Sequence, residues 1–203
     1  RIRVVENSQL QSEPWLTLDV AAVGEAGLLG LALDPAFAEN HFVYVAYTYR
    51  TDEGRLQNRL VRLREDPETG RGAMDRVLLD GVAGATIHDG GRVRFGPDDK
   101  LYWTMGDATN PPSAQDLESP NGKILRLNAD GTIPPDNPFP GSPVYAYGFR
   151  NPQGLAWQPR SGALYATEHG PSARDEVNRV EAGQNYGWPT VTGDEAREGL
   201  VPP

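Results

Sequence analysis

The sequence predicts an all-β protein assembled from repeated antiparallel units, in the manner of a β-propeller. A strand-and-proline pattern recurs with its prolines at Pro35, Pro97 and Pro159, so that successive copies lie 62 residues apart. The 23 glycines and 18 prolines form no Gly-Pro repeat and therefore indicate many turns between packed strands. No segment is convincingly helical, which completes the argument for an all-β class.

The elements of each repeat follow one another in a constant order. A short apolar strand runs into each proline, and a polar turn leads to an aromatic strand at 43–49, 101–105 and 164–167. Apolar or alternating runs predict further strands at 58–64, 76–79 and 123–127. Residues 175–181 are the nearest helix candidate, but they suit a strand around Val177 equally well. Four strands in each repeat are typical of a propeller blade.

The repeat period exceeds the ~40 to 50 residues of common propeller repeats, so long insertions must separate some strands. Residues 107–121 and 128–142 are rich in Pro, Asn, Asp and Ser and suit such insertions. They are either binding loops on a rigid sheet or solvated connectors. Three repeats do not close a ring, and the strand-like residues 2–5 have no partner before them. We therefore expect part of a larger propeller.

Composition excludes several classes of function. The net charge is −9 and the arginines are scattered, which argues against nucleic acid as a partner. The absence of cysteine excludes disulfides and thiolate metal sites, and it suits a periplasmic or secreted protein. No apolar run approaches the ~18 residues of a membrane span, and the first residues do not form a signal peptide.

Residues 86–97 (TIHDGGRVRFGP), with Gly106 and Asp107 a short way on, are the most informative motif. They place His88 ahead of a strand and Asp107 behind it, so the two side chains can meet at one sheet edge. An imidazole held by a carboxylate is a general base at neutral pH. Two alternatives remain open on the residues alone: His88 as a structural hydrogen-bonding group, and Asp107 as a turn residue after Gly106.

Several motifs share one resemblance, and they occur in one order: 24–37 (GEAGLLGLALDPAF), the His88–Asp107 motif, 148–154 (GFRNPQG), 168–178 (EHGPSARDEVN) and 185–189 (NYGWP). Together they resemble the soluble pyrroloquinoline-quinone-dependent aldose sugar dehydrogenases of the glucose/sorbosone dehydrogenase family, over nearly the whole chain. The resemblance implies a six-bladed β-propeller of four-stranded antiparallel blades. Residues 1–203 would then form a partial propeller domain of about three to four blades, lacking most of the first blade and the last blades.

The resemblance also implies a reaction and its base. Members oxidise the anomeric hydroxyl of an aldose to a lactone and pass electrons to an external acceptor. His88 matches the family's general base, with hydride transfer to pyrroloquinoline quinone (PQQ) activated by Ca²⁺. Asp107 matches the carboxylate that orients this histidine.

The remaining candidates contact cofactor or metal by the same comparison. Arg150 and Asn151 match residues that bind the quinone, whose carboxylates and ketones suit a guanidinium fork and an amide. Glu25 takes the place of a residue, glutamine in some relatives, that approaches cofactor and substrate. The metal candidates are the Gly170 and Pro171 carbonyls for Ca²⁺ beside the quinone, and Glu176 with the Tyr186 carbonyl for a second, structural Ca²⁺.

From the residues alone, Arg150 also fits a surface ion pair, and Asp175 with Glu176 a solvated face. We interpret Trp157 and Trp188 as packing aromatics and His41 as structural, while His169 adjoins the calcium loop. Two other functions stay open: a non-catalytic propeller that binds a protein or glycan, and a calcium-dependent lactonase. The set of His88, Asp107, Arg150 and Asn151 favours the quinone-dependent enzyme over both.

Overall fold

The computed structural model describes residues 1–203 as a β protein of thirteen strands with one short α-helix and one 3₁₀ turn. The strands are β1 (Val5–Glu6), β2 (Gln9–Leu10), β3 (Leu28–Leu33), β4 (Phe42–Arg50), β5 (Leu56–Asp66), β6 (Arg71–Ala83), β7 (Val93–Phe95), β8 (Leu101–Met105), β9 (Lys123–Leu127), β10 (Val144–Tyr147), β11 (Pro152–Trp157), β12 (Leu164–Glu168) and β13 (Glu176–Val180). The helix α1 spans Phe37–Asn40, and the 3₁₀ turn spans Pro111–Gln115.

The strands form three antiparallel sheets in chain order, preceded by the small β1–β2 hairpin. The first sheet runs β3-β4-β5-β6, the second β7-β8-β9-β10 and the third β11-β12-β13. Neighbours in sequence are neighbours in each sheet, so every sheet is a meander that begins at the same point of the 62-residue repeat. These sheets are three consecutive blades, as the all-β, partial six-bladed β-propeller predicted from the sequence requires.

Apolar layers between the sheets hold the blades together. One buried cluster, centred on Tyr44, Trp103 and Leu125, lies between the first and second sheets. A second, centred on Ile124, Phe149 and Leu155, lies between the second and third. Neighbouring residues of the second strand of a blade therefore point to opposite clusters: on β8, Trp103 packs in the first cluster and Tyr102 in the second. This alternation is what a pleated strand requires when both of its faces are covered.

The outer face of the first sheet is covered by the N-terminal segment. Trp15 is 5% exposed and packs with Val43, Val45 and Leu63. Its indole Nε1 donates to Glu65 at 2.8 Å. Ile2 forms an isolated bridge with Leu16, so the strand-like start pairs with a following segment.

The predicted strands are confirmed, most with small shifts of boundary, whereas 76–79 is only the middle of the longer strand β6 (Arg71–Ala83). Residues 101–105 and 123–127 coincide with β8 and β9, and the ambiguous segment 175–181 is a strand, β13. The two predicted insertions, 107–121 and 128–142, contain no strand, and the first carries the 3₁₀ turn. No helix in the structure has the length and apolar character needed to cross a membrane.

Candidate active site

The loops at one end of the three blades carry nearly all of the candidate residues. In each sheet the first strand starts, and the second strand ends, at this same end, because the two strands are antiparallel. His88 precedes β7 and Asp107 follows β8, so the two residues flank a hairpin. The motif places a single strand between the two residues, whereas the repeat predicts two, one before Pro97 and one at 101–105. The structure has these two strands, and the hairpin they form brings both residues to one edge.

His88 and Asp107 form a direct pair. The imidazole Nδ1 lies 2.8 Å from Asp107 Oδ1, and the side chains are 12% and 1% exposed. A carboxylate at Nδ1 favours the tautomer that carries the proton there, which leaves Nε2 with a free lone pair. Nε2 makes no hydrogen bond within the protein. The pair therefore has the geometry of an oriented general base.

The backbone of His88 is held in a left-handed conformation with φ of 64°. Its carbonyl accepts from Ala108 N at 3.1 Å, and its own N–H donates to Glu25 Oε2 at 3.1 Å. Gly106 allows the close approach, because a Cβ there would lie 1.9 Å from the His88 carbonyl oxygen. Glu25 is thus brought to the His88 loop.

Arg150 and Asn151 lie immediately before β11, at the same end. Asn151 is 1% exposed and its Oδ1 accepts from Gly90 N at 3.0 Å, while its amide nitrogen makes no protein hydrogen bond. The guanidinium of Arg150 donates from Nη1 to the His169 carbonyl at 3.1 Å. Its remaining donors are available to an anion. A backbone bond from Asp107 N to the Arg150 carbonyl, 2.8 Å, ties this pair to the dyad.

The calcium candidates lie beside Arg150. The carbonyl oxygens of Gly170, Pro171 and Tyr186 accept no hydrogen bond, and all three residues line one small cavity with Glu176. No cluster of three or more His, Asp or Glu side chains is arranged to hold a metal ion. Any cation here would depend on these carbonyls together with a carboxylate, which is the donor set of Ca²⁺ rather than of a transition metal.

Sequence reasoning missed Glu168, the last residue of β12. Its carboxylate is buried, accepts from Arg150 N at 2.7 Å and from Asn178 Nδ2 at 3.1 Å, and faces Glu176. Burial first, and then the charge of Glu176, raise the pKa of Glu168 to about 8. The Oδ1 atom of Asn178 is buried without a partner beside this pair. The only sequence signal was the position of Glu168 at the start of the EHGP motif.

Trp188 was interpreted as a packing aromatic, and that interpretation is incomplete. Its Nε1 donates to Asp107 Oδ2 at 2.8 Å, and the Arg150 guanidinium lies 5.5 Å from its ring centre. Trp157, by contrast, packs edge-on against Tyr102 and makes no side-chain hydrogen bond, as predicted. A tryptophan gives no sequence signal that separates these two roles.

The other histidines lie apart from the dyad. His41 caps α1 in a left-handed conformation, and its Nδ1 lies 3.7 Å from Glu65 Oε1, which agrees with a structural role. His169 is exposed at the calcium loop, with Nε2 at 3.3 Å from Gln153 Oε1. Neither ring is held by a buried carboxylate, so His88 remains the candidate base.

A polar cavity of ≈ 260 Å³ opens where the first strands of the three blades converge. Its lining residues are Glu25, Leu28, Leu29, Asp89, Gly90, Gly91, Arg92 and Gln153. Asp89 is 2% exposed and is anchored by Asn58 Nδ2 at 2.9 Å and Ala85 N at 3.0 Å. The cavity is thus a concave, polar space beside the candidate base: Glu25 and Asp89 line it, and Glu25 bonds to the backbone of His88.

Comparisons with known proteins give relatives over almost the whole sequence. The chain is 38% identical to quinoprotein glucose dehydrogenase B of Acinetobacter calcoaceticus, over 85% of this chain and 41% of that protein. It is 36% identical to aldose sugar dehydrogenase YliI of Escherichia coli, over 86% of this chain and 49% of that protein. It thus spans about half the length of the curated relatives it matches.

Among solved structures, the PQQ-bound form of aldose sugar dehydrogenase from Streptomyces coelicolor superposes with a TM-score of 0.84. The identity is 42%, over 91% of this chain and 54% of that chain. The family model for Glucose / Sorbosone dehydrogenase matches residues 1–201. The three blades and the sequence match lead to one assignment: the chain belongs to the Glucose / Sorbosone dehydrogenase family.

Proposed function

We propose that the protein carrying this sequence is a quinoprotein sugar dehydrogenase that oxidises the anomeric hydroxyl of aldoses to lactones. The observation that carries the proposal is the buried Asp107 holding the His88 ring with Nε2 free. Oxidation of an alcohol carbon needs a base for the hydroxyl proton and an acceptor for two electrons. The chain's own side chains supply the first and none supplies the second, so a cofactor is required.

The residues around the dyad fit PQQ. Arg150 offers free guanidinium donors to a carboxylate, and the unpaired amide nitrogen of Asn151 can donate to a ketone oxygen. Glu25 lines the polar cavity beside His88 and suits sugar hydroxyls better than an anionic cofactor, since like charges repel. When bound, the quinone supplies the two-electron acceptor, and Ca²⁺ supplies a fixed positive charge beside it.

The free carbonyls of Gly170 and Pro171 are the groups we propose for that Ca²⁺. We propose Glu176 and the carbonyl of Tyr186 as ligands of a second, structural Ca²⁺. The Tyr186 carbonyl accepts no hydrogen bond within the protein. The paired carboxylates of Glu168 and Glu176 support this second site, because a buried acid beside a half-buried one is stabilised by a shared proton or a cation.

In this reaction His88 Nε2 takes the proton of the anomeric hydroxyl. Asp107 keeps the Nδ1 proton in place and stabilises the imidazolium that forms. The buried position of Asp107 strengthens that stabilisation, since water does not screen the pair. The electrons leave to an external acceptor. A periplasmic or secreted location, supported by the absence of cysteine, is part of the proposal.

The test is reconstitution. The protein is incubated with PQQ and CaCl₂, and reduction of an artificial dye is followed on addition of an aldose, with the corresponding lactone identified as product. Dye reduction that needs both quinone and sugar is expected. Lactone hydrolysis without quinone would instead support the calcium-dependent lactonase, and the absence of any turnover would favour a binding function.

A further inference from the structure

A tryptophan lies on the far side of Asp107 from His88. Both oxygens of this carboxylate are used: Oδ1 faces His88 Nδ1 and also accepts from Thr109 N at 2.9 Å, while Oδ2 accepts from Trp188 Nε1 at 2.8 Å. With Asp107 only 1% exposed, water does not replace a lost donor. The indole is therefore the one protein donor that holds Oδ2 of this carboxylate.

Trp188 is itself fixed by a set of hydrogen bonds that simple packing does not need. Its backbone N–H donates to the Gly148 carbonyl at 2.9 Å, and its backbone carbonyl accepts from Gln115 Nε2 at 2.6 Å. The amides of Gln115 and Asn185 pair reciprocally, at 3.0 and 2.8 Å. The loop after Asp107 and the NYGWP segment are thereby locked to one another.

The ring of Trp188 also faces Arg150, whose guanidinium carbon lies 5.5 Å from the ring centre. Indole is the best of the aromatic partners for a cation. One side chain thus contacts both the carboxylate of the base pair and the arginine proposed for the quinone. A shift of Trp188 would displace both.

We infer that Trp188 is a positioning residue for the reaction: its indole N–H holds the Asp107 carboxylate so that Asp107 orients His88, and its ring holds Arg150. The inference rests on the proposed function for its catalytic consequence. Its structural core, the bond between indole and carboxylate, can be observed without cofactor or substrate.

The first test is a spectrum of the apo protein with ¹⁵N-labelled tryptophan. The chain has four tryptophans, and the Trp188 indole signal is identified by its loss in Trp188→Phe. In Asp107→Asn the neutral acceptor is weaker than a carboxylate, so the Trp188 indole proton should move upfield. The Trp15 indole, bonded to Glu65, is the internal reference and should stay in place. A Trp188 signal unmoved by Asp107→Asn would overturn the inference. If Trp188→Phe does not fold, a spectrum of Asp107→Asn in which none of the four indole signals moves would overturn it equally.

The second test is the kinetics of Trp188→Phe, which removes the indole N–H and replaces the bicyclic ring by a smaller aromatic ring that still faces Arg150. We expect kcat to fall about 10- to 100-fold, the scale of a misoriented base, with the sugar KM changed less than about twofold. Trp157→Phe is the matched control and should leave both constants unchanged. Wild-type kcat in Trp188→Phe would remove this inference alone, whereas a wild-type protein without quinone-dependent turnover would remove the proposed function.

Discussion

The Oδ1 atom of Asn151 accepts a hydrogen bond from the backbone nitrogen of Gly90 at 3.0 Å, so the third blade holds the loop on which the second blade presents His88. Asn151 lies immediately before β11, and Gly90 lies three residues before β7. The candidate base is therefore positioned by the packing of one blade against the next. A change at this junction should alter catalysis before it alters the fold.

Removal of the charge on Asp107 should leave the His88 ring in place but prevent it from acting as a base. In Asp107→Asn, an amide nitrogen toward His88 favours the tautomer with its lone pair on Nδ1, so Nε2 no longer accepts a proton. We expect kcat to fall by roughly 10²- to 10⁴-fold, measured by dye reduction in the reconstituted enzyme. Asp52→Asn, at an exposed turn, is the control and should retain full activity. Activity within a few-fold of wild type in Asp107→Asn would show that His88 does not depend on this carboxylate.

Enlarging Gly106 should separate the two halves of the dyad. A Cβ at this position would lie 1.9 Å from the His88 carbonyl oxygen and 3.0 Å from Asn151 Oδ1, so the His88 loop must move. Gly106→Ala should lower the free energy of unfolding by about 1–3 kcal/mol and also lower kcat. Gly141→Ala, where φ is 73° and the space is open, should cost only backbone strain and leave kcat unchanged. Urea titration and dye reduction measure the two effects; equal kcat in both variants would contradict the account.

The raised pKa of Glu168 predicts a loss of stability with rising pH in the metal-free protein. Burial and the neighbouring Glu176 raise the folded pKa to about 8, above the value in the unfolded chain, so the native state binds more protons between the two. The contribution is therefore fully present below the unfolded pKa and decreases as the pH rises toward 8. Thermal unfolding in EDTA should give a Tm that falls from pH 5 to pH 7.

Glu168→Gln isolates that effect, because the amide imitates the neutral acid. Its Tm should depend less on pH over this window than that of wild type. Burial lowers the pKa of Lys123 to about 7, so this residue begins to titrate at the upper end of the window and its contribution to stability rises at higher pH. Lys123 is present in both proteins, so its contribution cancels when the two slopes are compared. The same slope in both proteins would show that Glu168 is ionised throughout. A Tm of wild type that rises from pH 5 to pH 7 would contradict the direction itself.

Chelation should abolish turnover reversibly if carbonyl oxygens hold the proposed Ca²⁺. After EDTA treatment, Ca²⁺ should restore dye reduction better than Mg²⁺, which demands tighter octahedral geometry. Glu176→Gln should raise the Ca²⁺ concentration needed for half-maximal recovery of thermal stability. Glu181→Gln, in an exposed pair with Arg179, should not change it. Turnover that resists exhaustive chelation would remove Ca²⁺ from the proposal.

The strands and their repeat were predictable because apolar periodicity and prolines report directly on pleated structure. The 62-residue spacing reappears as three sheets that begin at the same point of the repeat, and β8 and β9 have the predicted bounds. Lys123 shows the limit of this reasoning. It reads as the polar start of a strand, yet it is fully buried, and its ammonium donates to three backbone carbonyls at 2.7–3.0 Å.

The site was predictable only where a residue type carries its own chemistry. Few chemical roles suit a histidine, an aspartate or an arginine within such motifs, so the motifs alone suggested functions for His88, Asp107 and Arg150. The structure brings these three residues to one edge of the blades. Glu168 and Trp188 were missed because their roles depend on burial and on partners far away in the sequence, 81 residues in the case of Trp188 and Asp107. Such contacts follow from blade packing, which local pattern does not report.

The most direct measurement of the central claim is the absorption spectrum of the bound quinone after sugar is added. Wild-type protein and His88→Ala are loaded with PQQ and Ca²⁺ in parallel, and binding is measured before sugar is added. We predict that both bind the quinone, that the wild-type spectrum changes to that of the reduced cofactor, and that reduction in His88→Ala is slower by about 10²-fold or more. Reduction at the wild-type rate in His88→Ala would contradict the role of His88 as the base.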